Sequence, residues 1–426
     1  MAVPARRGGM SRCLICDGAL ERILSFGRMP IANGFLGTEE FAREYFFELG
    51  VGFCERCAMP QLVDRVPREK MFHAHYPFFT SSSARMAAHF EDFAKGVMQN
   101  HLGERDPFVV EIGSNDGTLL RHFAVASVRH LGVEPSANVA AAAEEIGVHS
   151  TCRFFDEVVA RDIARDFGPA DAVLAANCFC HVHDLHSLAK GVGHLLKPRG
   201  VLIFEDPYLG DILAKTAYDQ IYDEHAYYFC VTGVSRWLAP HGLEIVDVEP
   251  HDVHGGSMRY TAARRGAWPV RPAVPEQLQM ERQAGLHRRE TYDGFRGRVE
   301  KSREDLIELL QRLRGEGKRV AGYAATSKST TVLNYCGIGP DLVEFISDTT
   351  PVKQGKFSPG VHIPVRSHAQ FRSHHPDFAL LFAWNHAAEI LEKEREFARG
   401  GGNWISYVPR VEILDPLRGR ETRESA

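Results

Sequence analysis

No stretch of the 426-residue sequence approaches 18 consecutive apolar residues, so no membrane-spanning helix and no membrane partner are expected. The opening MAVPARRGGMSR is basic but lacks the apolar segment of a signal peptide, which makes a cytoplasmic protein the expectation. An excess of positive charge is also missing. The 50 Lys and Arg stand against 55 Asp and Glu, a net charge of −5, and no global cationic field is available to hold a phosphate backbone. Nucleic acid is therefore not an expected partner. Neither G-x-G-x-x-G nor a Walker A loop occurs, which disfavours a pyrophosphate cofactor such as NAD and a P-loop nucleotide site. The nine cysteines are odd in number and do not suggest a disulfide framework. What is present is a globular composition, 44% hydrophobic and 25% charged, in a chain too long for one core. Two or three domains are expected.

From Cys13 to about Val66, short strand-like runs are broken by Gly, Pro and Asn, as in FGRMPIANGF. Met86, Phe90, Phe93 and Val97 then recur at helical spacing. Between Phe108 and about Arg264, apolar runs alternate with helical ones: FVVEI and TLLRHFAV, HLGVE and VAAAAEEI, AVLAA and LHSLAKGVGHLL, then VLIFE. This βα repetition predicts a parallel sheet covered on both faces. A charged stretch at about 275–314 reads as one or two helices. From Arg319 the alternation resumes with RVAGYAA, TTVLNYCGI, LVEFISD and FALLFAW, a second α/β domain, before the charged tail GRETRESA.

Three constellations carry chemistry. Cys13-x-x-Cys16 and Cys54-x-x-Cys57, with 37 residues between the two pairs, can form two knuckles that present four thiolates to one zinc ion. Four protein ligands leave no open position, so the zinc is expected to be structural, stapling a module too small for a good core. The second constellation is Glu111-Ile112-Gly113-Ser114-Asn115-Asp116-Gly117, a strand entering a glycine-punctuated loop. Gly113 and Gly117 permit close ligand approach, and Glu111 could accept a hydrogen bond from a ligand amino group. Glu134 ends the next strand, 21 residues past Gly113, where a carboxylate can receive both ribose hydroxyls. S-adenosylmethionine fits this pattern better than NAD. The third is Asp219-Gln220-Ile221-Tyr222-Asp223-Glu224-His225, with Asn177, His181 and His183 following the strand AVLAA. Tyr, Glu and His packed this closely are costly in a core and natural in a cleft, where imidazole suits general acid/base work.

With these motifs, and with EDPYLGDI, VHGGSMRY, the GYAATSK turn, CGIGPDLV and LLFAWNH, the chain resembles the S-adenosylmethionine-dependent C-methyltransferases of nucleotide-linked deoxysugars, from Cys13 to about Pro409. Typical members are the sugar 3-C-methyltransferases of antibiotic pathways. The resemblance implies a zinc-binding domain at 10–75, a Rossmann-like class I methyltransferase domain at 76–265 with its leading helix, and a helical linker with a C-terminal Rossmann-like domain at 266–418. It implies a nucleoside-diphosphate 4-keto-deoxysugar as substrate, expected to be dTDP-linked. His225 becomes the implied base, with Tyr222, Glu224, His181 and Tyr76 around the sugar.

The chemistry accounts for these residue types independently of the family. A carbon accepts a methyl group only once it carries electron density, and the proton beside a ketone is the one a side chain can remove. Tyr222 or Tyr76 could donate to the enolate oxygen. Glu224 could orient the imidazole as a triad carboxylate does, and the roles of Tyr222 and Glu224 could be exchanged. Asn177 is expected on the cofactor side. No acid stands at the usual adenine position in Cys152-Arg153-Phe154-Phe155-Asp156, so Phe154 and Phe155 are the expected adenine contacts. Members of the family often carry glycine where Ala324 stands. Lys328 and Lys353 could neutralise a diphosphate. O- or N-methylation on the same scaffold, and a zinc-ribbon nucleic-acid-binding methyltransferase, are the alternative readings. A monomer is expected, since three domains of one chain could enclose the substrate.

Overall fold

The computed structural model describes residues 11–72, 79–103 and 105–414. They fall into two compact units. The first takes the described residues of Met1–Arg22, Gly52–Gly210 and Ala226–Arg289; the second takes those of Ile23–Val51, Asp211–His225 and Glu290–Ala426. No helix among the described residues is long and apolar enough to cross a membrane.

The N-terminal strands β1 (Ser11–Arg12), β2 (Ala19–Pro30), β3 (Phe46–Phe53) and β4 (Gln61–Leu62) form a four-stranded sheet in that order. Helix α1 (Ala84–Asn100) follows, capped by the Ser83 hydroxyl, which accepts from Met86 N. Its Met86, Phe90, Phe93 and Val97 are all buried, as their spacing predicts. They join one core with Val109, Leu120, Phe123, Ala172, Leu174, Val201 and Ile203.

The first unit then builds β5 (Phe108–Ile112), α2 (Leu120–Val125), β6 (Arg129–Val133), α3 (Ala137–Glu145) and β7 (Ser150–Thr151). It continues with α4 (Glu157–Phe167), β8 (Ala170–Ala176), α5 (Leu185–Leu195) and β9 (Leu196–Pro207). After α6 (Leu209–Ala214) come α7 (Val231–Leu238), β10 (Leu243–His251), β11 (Ser257–Arg264) and α8 (Ala273–Gln283). The seven-stranded sheet has the order β10-β11-β9-β8-β5-β6-β7. Strands β5, β6, β7, β8 and β9 are parallel, and the nearly continuous apolar runs of β5 and β8 at the centre are what burial on both faces requires.

Two details correct the sequence reading. The sheet is mixed, because β10 and β11 form an antiparallel hairpin and β11 lies antiparallel to β9. A hairpin needs no crossover helix, and its turn is the VHGG motif, where His254, Gly255 and Gly256 all have positive φ. Strand β9 also runs past the apolar VLIFE that marks it in the sequence. The pairing of β9 with β11 carries the strand through Pro207, opposite Ser257.

The long helix α9 (Arg289–Gly315) leads into the C-terminal part of the second unit. This comprises β12 (Val320–Tyr323), α10 (Ser327–Cys336), β13 (Ile346–Asp348), β14 (Val365–Ser367), β15 (Phe378–Leu381), β16 (Asn403–Ser406) and β17 (Glu412–Leu414). Its sheet runs β14-β13-β12-β15-β16-β17 and is parallel except for β17. In each large sheet the strand order reverses at one strand, β5 in the first unit and β12 in the second. The loops leaving those two strands therefore stand at topological switch points, where ligands of open α/β sheets bind.

Candidate functional site

The four cysteines of the paired motifs converge within the first unit. Their sulfur atoms all lie within 4.8 Å of one another, and Cys16 Sγ is 3.6 Å from Cys54 Sγ. A tetrahedral zinc with Zn–S bonds of about 2.3 Å would place its sulfurs about 3.8 Å apart. The two knuckles are built alike. Asp17 N donates to Cys13 O and Ala58 N to Cys54 O, at 2.9 and 2.8 Å. The residue after each second cysteine, Asp17 or Ala58, takes a left-handed conformation with φ 56° or 51°. Gln61 Nε2 and Ile15 N point at Cys13 Sγ, at 3.3 and 3.4 Å, as donors to a thiolate would. The donor set and spacing fit zinc.

At the switch point of the first unit, Gly113 has φ 72°, and a Cβ there would stand 2.5 Å from Cys178 Sγ. Glycine is thus required twice, by backbone conformation and by close approach. Asn115 is left-handed as well, with φ 48°. Its N–H donates to Glu134 Oε2 at 3.0 Å, while Ser136 N donates to Glu134 Oε1 at 2.8 Å. Burial raises the Glu134 pKa, and these two amides oppose the rise. The acid expected to meet the ribose therefore also shapes the glycine loop, and each oxygen keeps a further lone pair for a ligand. Glu111 is buried on β5, and its Oε2 has no hydrogen-bond partner among the described residues. Burial first, then the charges of Asp116 and Glu134, push its pKa well up. A ligand ammonium would relieve both costs.

Asn177 follows β8 in a left-handed conformation, φ 50°, and its buried Oδ1 also lacks a partner among the described residues. His181 lies in the short turn Phe179–His181 and stacks on Phe72 with centroids 5.6 Å apart. Desolvation lowers its pKa to about 4, so it is neutral near pH 7. The two phenylalanines differ in surroundings. Phe155 is buried, and a Cβ on Gly191 of α5 would lie 3.1 Å from its ring. Phe154 is half-buried beneath the Arg68 guanidinium, 4.2 Å from its centroid. The glycine loop is further tied to the residues before α1. Asn115 Oδ1 accepts from Thr80 N and Oγ1, and Asp116 Oδ2 from Ser81 N. Tyr76 lies outside the described residues.

The base candidate sits in the second unit. His225 is 5% exposed, Glu224 3% and Asp223 2%. His225 Nδ1 lies 2.8 Å from Gln220 O, and Tyr222 Oη lies 2.7 Å from His225 Nε2. A carbonyl can only accept, so Nδ1 carries the proton and Nε2 presents its lone pair to the tyrosine hydroxyl. A backbone carbonyl thus faces Nδ1, where a triad would place a carboxylate. Glu224 Oε1 accepts from Asn33 Nδ2 at 2.7 Å, and Asp223 Oδ1 from Ala32 N at 3.0 Å. Burial, with the Glu224 charge beside it, raises the Asp223 pKa to about 8. Thr330 and Thr331 of α10 donate to Ala32 O and Ile221 O, both at 2.8 Å, and so frame the same segment.

The second switch point holds the lysines. Lys353 Nζ donates to Ala325 O at 2.7 Å and stands 4.9 Å from the Phe35 ring centroid. Burial lowers its pKa, opposed by Asp348 and Glu224. Lys328 lies in the first turn of α10, where burial lowers its pKa and Asp219 opposes. Ala324 is left-handed with φ 73°. Asp219 itself accepts from Tyr407 Oη at 2.6 Å and Trp384 Nε1 at 2.7 Å.

Some polar groups here carried no signal that a reading of residue types would single out. The Gln220 carbonyl is a backbone atom, and Asn33 lies 191 residues from its partner Glu224. Asp206 ends β9 fully buried, accepts a long hydrogen bond from Cys180 N at 3.4 Å, and leaves Oδ2 without a partner among the described residues. Burial lifts its pKa to about 7.

A Rossmann-like sheet in this strand order, with a glycine loop and an acid at its switch point, is the scaffold of a class I methyltransferase. Comparison with known proteins agrees. Residues 84–248 match a methyltransferase domain model, residues 13–72 a zinc binding domain model, and residues 252–409 the C-methyltransferase C-terminal domain. The chain is 38% identical over 410 residues to the C-methyltransferase NovU of Streptomyces niveus, covering 95% of this chain and 97% of that one. It belongs to the S-adenosylmethionine-dependent C-methyltransferases. Several solved structures resemble part of it. Magnesium protoporphyrin IX methyltransferase from Synechocystis, with bound S-adenosylmethionine, is 14% identical, covers 42% of this chain and 79% of its own, and has a TM-score of 0.31. An S-adenosylmethionine-dependent methyltransferase from Clostridium acetobutylicum is 14% identical, with coverages of 42% and 92% and a TM-score of 0.33.

Proposed function

We propose that this C-methyltransferase methylates C3 of a nucleoside-diphosphate 4-keto-deoxyhexose, dTDP-linked, in deoxysugar biosynthesis of an antibiotic pathway, through an enolate made by His225. The observation that carries the reading is the chain Gln220 O, His225, Tyr222 Oη. With Nδ1–H held by a carbonyl, Nε2 is the only basic position of the ring. His225 Nε2 takes the C3 proton. The Tyr222 hydroxyl, released from Nε2, donates to the enolate oxygen that forms as the proton leaves. Lys328 and Lys353 bind the diphosphate, and Asn33 keeps Glu224 oriented beside the base. Bound S-adenosylmethionine supplies the electrophilic methyl group. Glu111 and Asn177, each with an orphaned buried oxygen, would hold the polar groups of that cofactor, with Glu134 at the ribose and Phe154 or Phe155 at the adenine. His181 and Tyr76 complete the sugar's surroundings. Zn2+ on Cys13, Cys16, Cys54 and Cys57 has a structural role, and one chain acts as a monomer.

The test separates deprotonation from methylation. With S-adenosylhomocysteine bound, wild type is expected to exchange solvent deuterium into C3 of a 4-keto sugar nucleotide, and His225→Asn is not. General base catalysis contributes about 10² to 10⁴ in rate, so a folded His225→Asn variant should lose at least about 100-fold in methyl transfer. A loss below about tenfold would remove His225 as the base. Mass spectrometry of products from a panel of 4-keto sugar nucleotides with labelled cofactor decides the substrate.

A further inference from the structure

The segment that carries Tyr222, Glu224 and His225 leaves the first unit after Gly210 and re-enters it at Ala226. Both of its stems, Tyr208 on one side and Val231 with Thr232 on the other, are held by one carboxylate from another helix. Glu281 of α8 is 2% exposed. Its Oε1 accepts from Val231 N at 2.6 Å and from Tyr208 Oη at 3.1 Å. Its Oε2 accepts from Thr232 N at 2.8 Å and Thr232 Oγ1 at 2.6 Å. Gln277, one turn earlier on α8, donates to the same Tyr208 oxygen at 2.8 Å. The stem is closed beside this point by Leu209 N donating to Phe229 O at 2.8 Å.

Val231 and Thr232 open α7, so their amides are among the orphan donors of a helix N-terminus. The local cap is Cys230, whose sulfur is a weak acceptor and takes Gly233 N at 3.4 Å. The stronger anionic acceptor comes from a helix about 50 residues further along the chain. A cap needs only those amides. The bond from Tyr208 is extra, and it joins the exit of the segment to its return.

We propose that Glu281 is a positioning residue for methyl transfer: by joining Tyr208 to the first turn of α7, it fixes the two ends of the His225-bearing segment and so sets kcat. This rests on the reading of His225 as the base. Side chains on such a segment lose rate steeply when their anchoring drifts by about 1 Å.

The experiment uses the full zinc-loaded chain with Glu281→Gln, Tyr208→Phe and Thr232→Val. Glu281→Gln keeps the volume but replaces one accepting oxygen by an NH2 group that faces N–H or O–H donors. Tyr208→Phe cuts the link between the stems, and the Gln277 bond to the same oxygen, while leaving Glu281 on the amides of α7, and it guards against a Glu281 variant that does not fold. Amide hydrogen exchange by mass spectrometry is expected to rise at least about tenfold in peptides spanning 209–230 and to stay unchanged elsewhere. Turnover should fall about tenfold in Tyr208→Phe and about 30-fold or more in Glu281→Gln, with S-adenosylmethionine affinity within about twofold of wild type. Unchanged exchange in 209–230, or unchanged turnover in either folded variant, overturns the proposal. Failure of the base assignment looks different: His225→Asn keeps its turnover while Glu281→Gln still loosens the segment and slows methyl transfer.

Discussion

Asp206 should make the first unit less stable as pH rises, and the effect can be isolated by one isosteric change. Its carboxyl lies fully buried near the end of β9, accepts a long hydrogen bond from Cys180 N, and has an oxygen lacking a partner among the described residues. Desolvation raises its pKa from 3.8 to about 7. Below pH 4 both folded and unfolded chains hold the proton, and the group costs nothing. Between pH 4 and pH 7 only the unfolded chain ionises, so each pH unit removes about 1.4 kcal/mol of stability. Above pH 7 both states are ionised and the loss levels off at about 4 kcal/mol. Asp206→Asn keeps the acceptor for Cys180 N and has no proton to lose. Its stability relative to wild type should therefore rise by about 4 kcal/mol between pH 4 and pH 8. Urea unfolding followed by pulse proteolysis, with surviving fragments identified by mass, reads this unit separately. Parallel curves for wild type and Asp206→Asn across that range would refute the reasoning.

Elemental analysis should find one zinc per chain, and Cys13→Ser with Cys57→Ser should abolish it and unfold the N-terminal strands; metal retained by that double variant would exclude this ligand set. Glu134→Ala should weaken S-adenosylmethionine binding at least about tenfold by calorimetry while the chain stays folded, because both the ribose acceptor and the anchor of Asn115 N are lost; unchanged affinity would place the ribose elsewhere. At Ala324, glycine should be tolerated within about 0.5 kcal/mol in thermal unfolding, since relief of the left-handed conformation offsets the lost methyl contact, whereas Ala324→Val should cost more than about 1 kcal/mol. A destabilising glycine would mean that the methyl group outweighs the backbone there.

What could be read from the sequence follows from how far apart the interacting residues lie. The central strands β5 and β8 are continuous apolar runs, and α1 repeats its apolar residues at helical spacing, so each declares itself within a dozen residues. The edge hairpin β10–β11 does not. Its outer strand alternates, and its position between β9 and solvent is decided by pairing that no local pattern encodes. Helix α4 carries a weaker local signal, with Asp156 capping and Val159 and Ile163 on one face, between two stronger motifs. Consecutive segments also hide the way Ile23–Val51 and Asp211–His225 belong with the C-terminal sheet. At the candidate base, residue types point to His225 and Tyr222, while the atom that fixes the imidazole is a backbone oxygen. Backbone partners are indifferent to side-chain identity, so composition and spacing cannot find them.

The two switch points use one architecture with opposite charge. Around the loop after β5 stand Glu111, Asp116 and Glu134, coupled closely enough that each raises the cost of ionising Glu111 or is raised by burial itself. Around the loop after β12 stand Lys328 and Lys353, whose ammonium groups are disfavoured by burial and held by Asp219 and Asp348. Like charges gathered in a poorly solvated place are tolerated when a ligand of the other sign completes them. Under the proposed reading, the first loop is completed by the cationic sulfonium and ammonium of the methyl donor and the second by the anionic diphosphate of the sugar. Exchanging the ligands between the loops would place a cation beside lysines and a diphosphate beside three carboxylates. Under that reading the side chains around the two loops, rather than the fold they share, decide which loop receives which ligand.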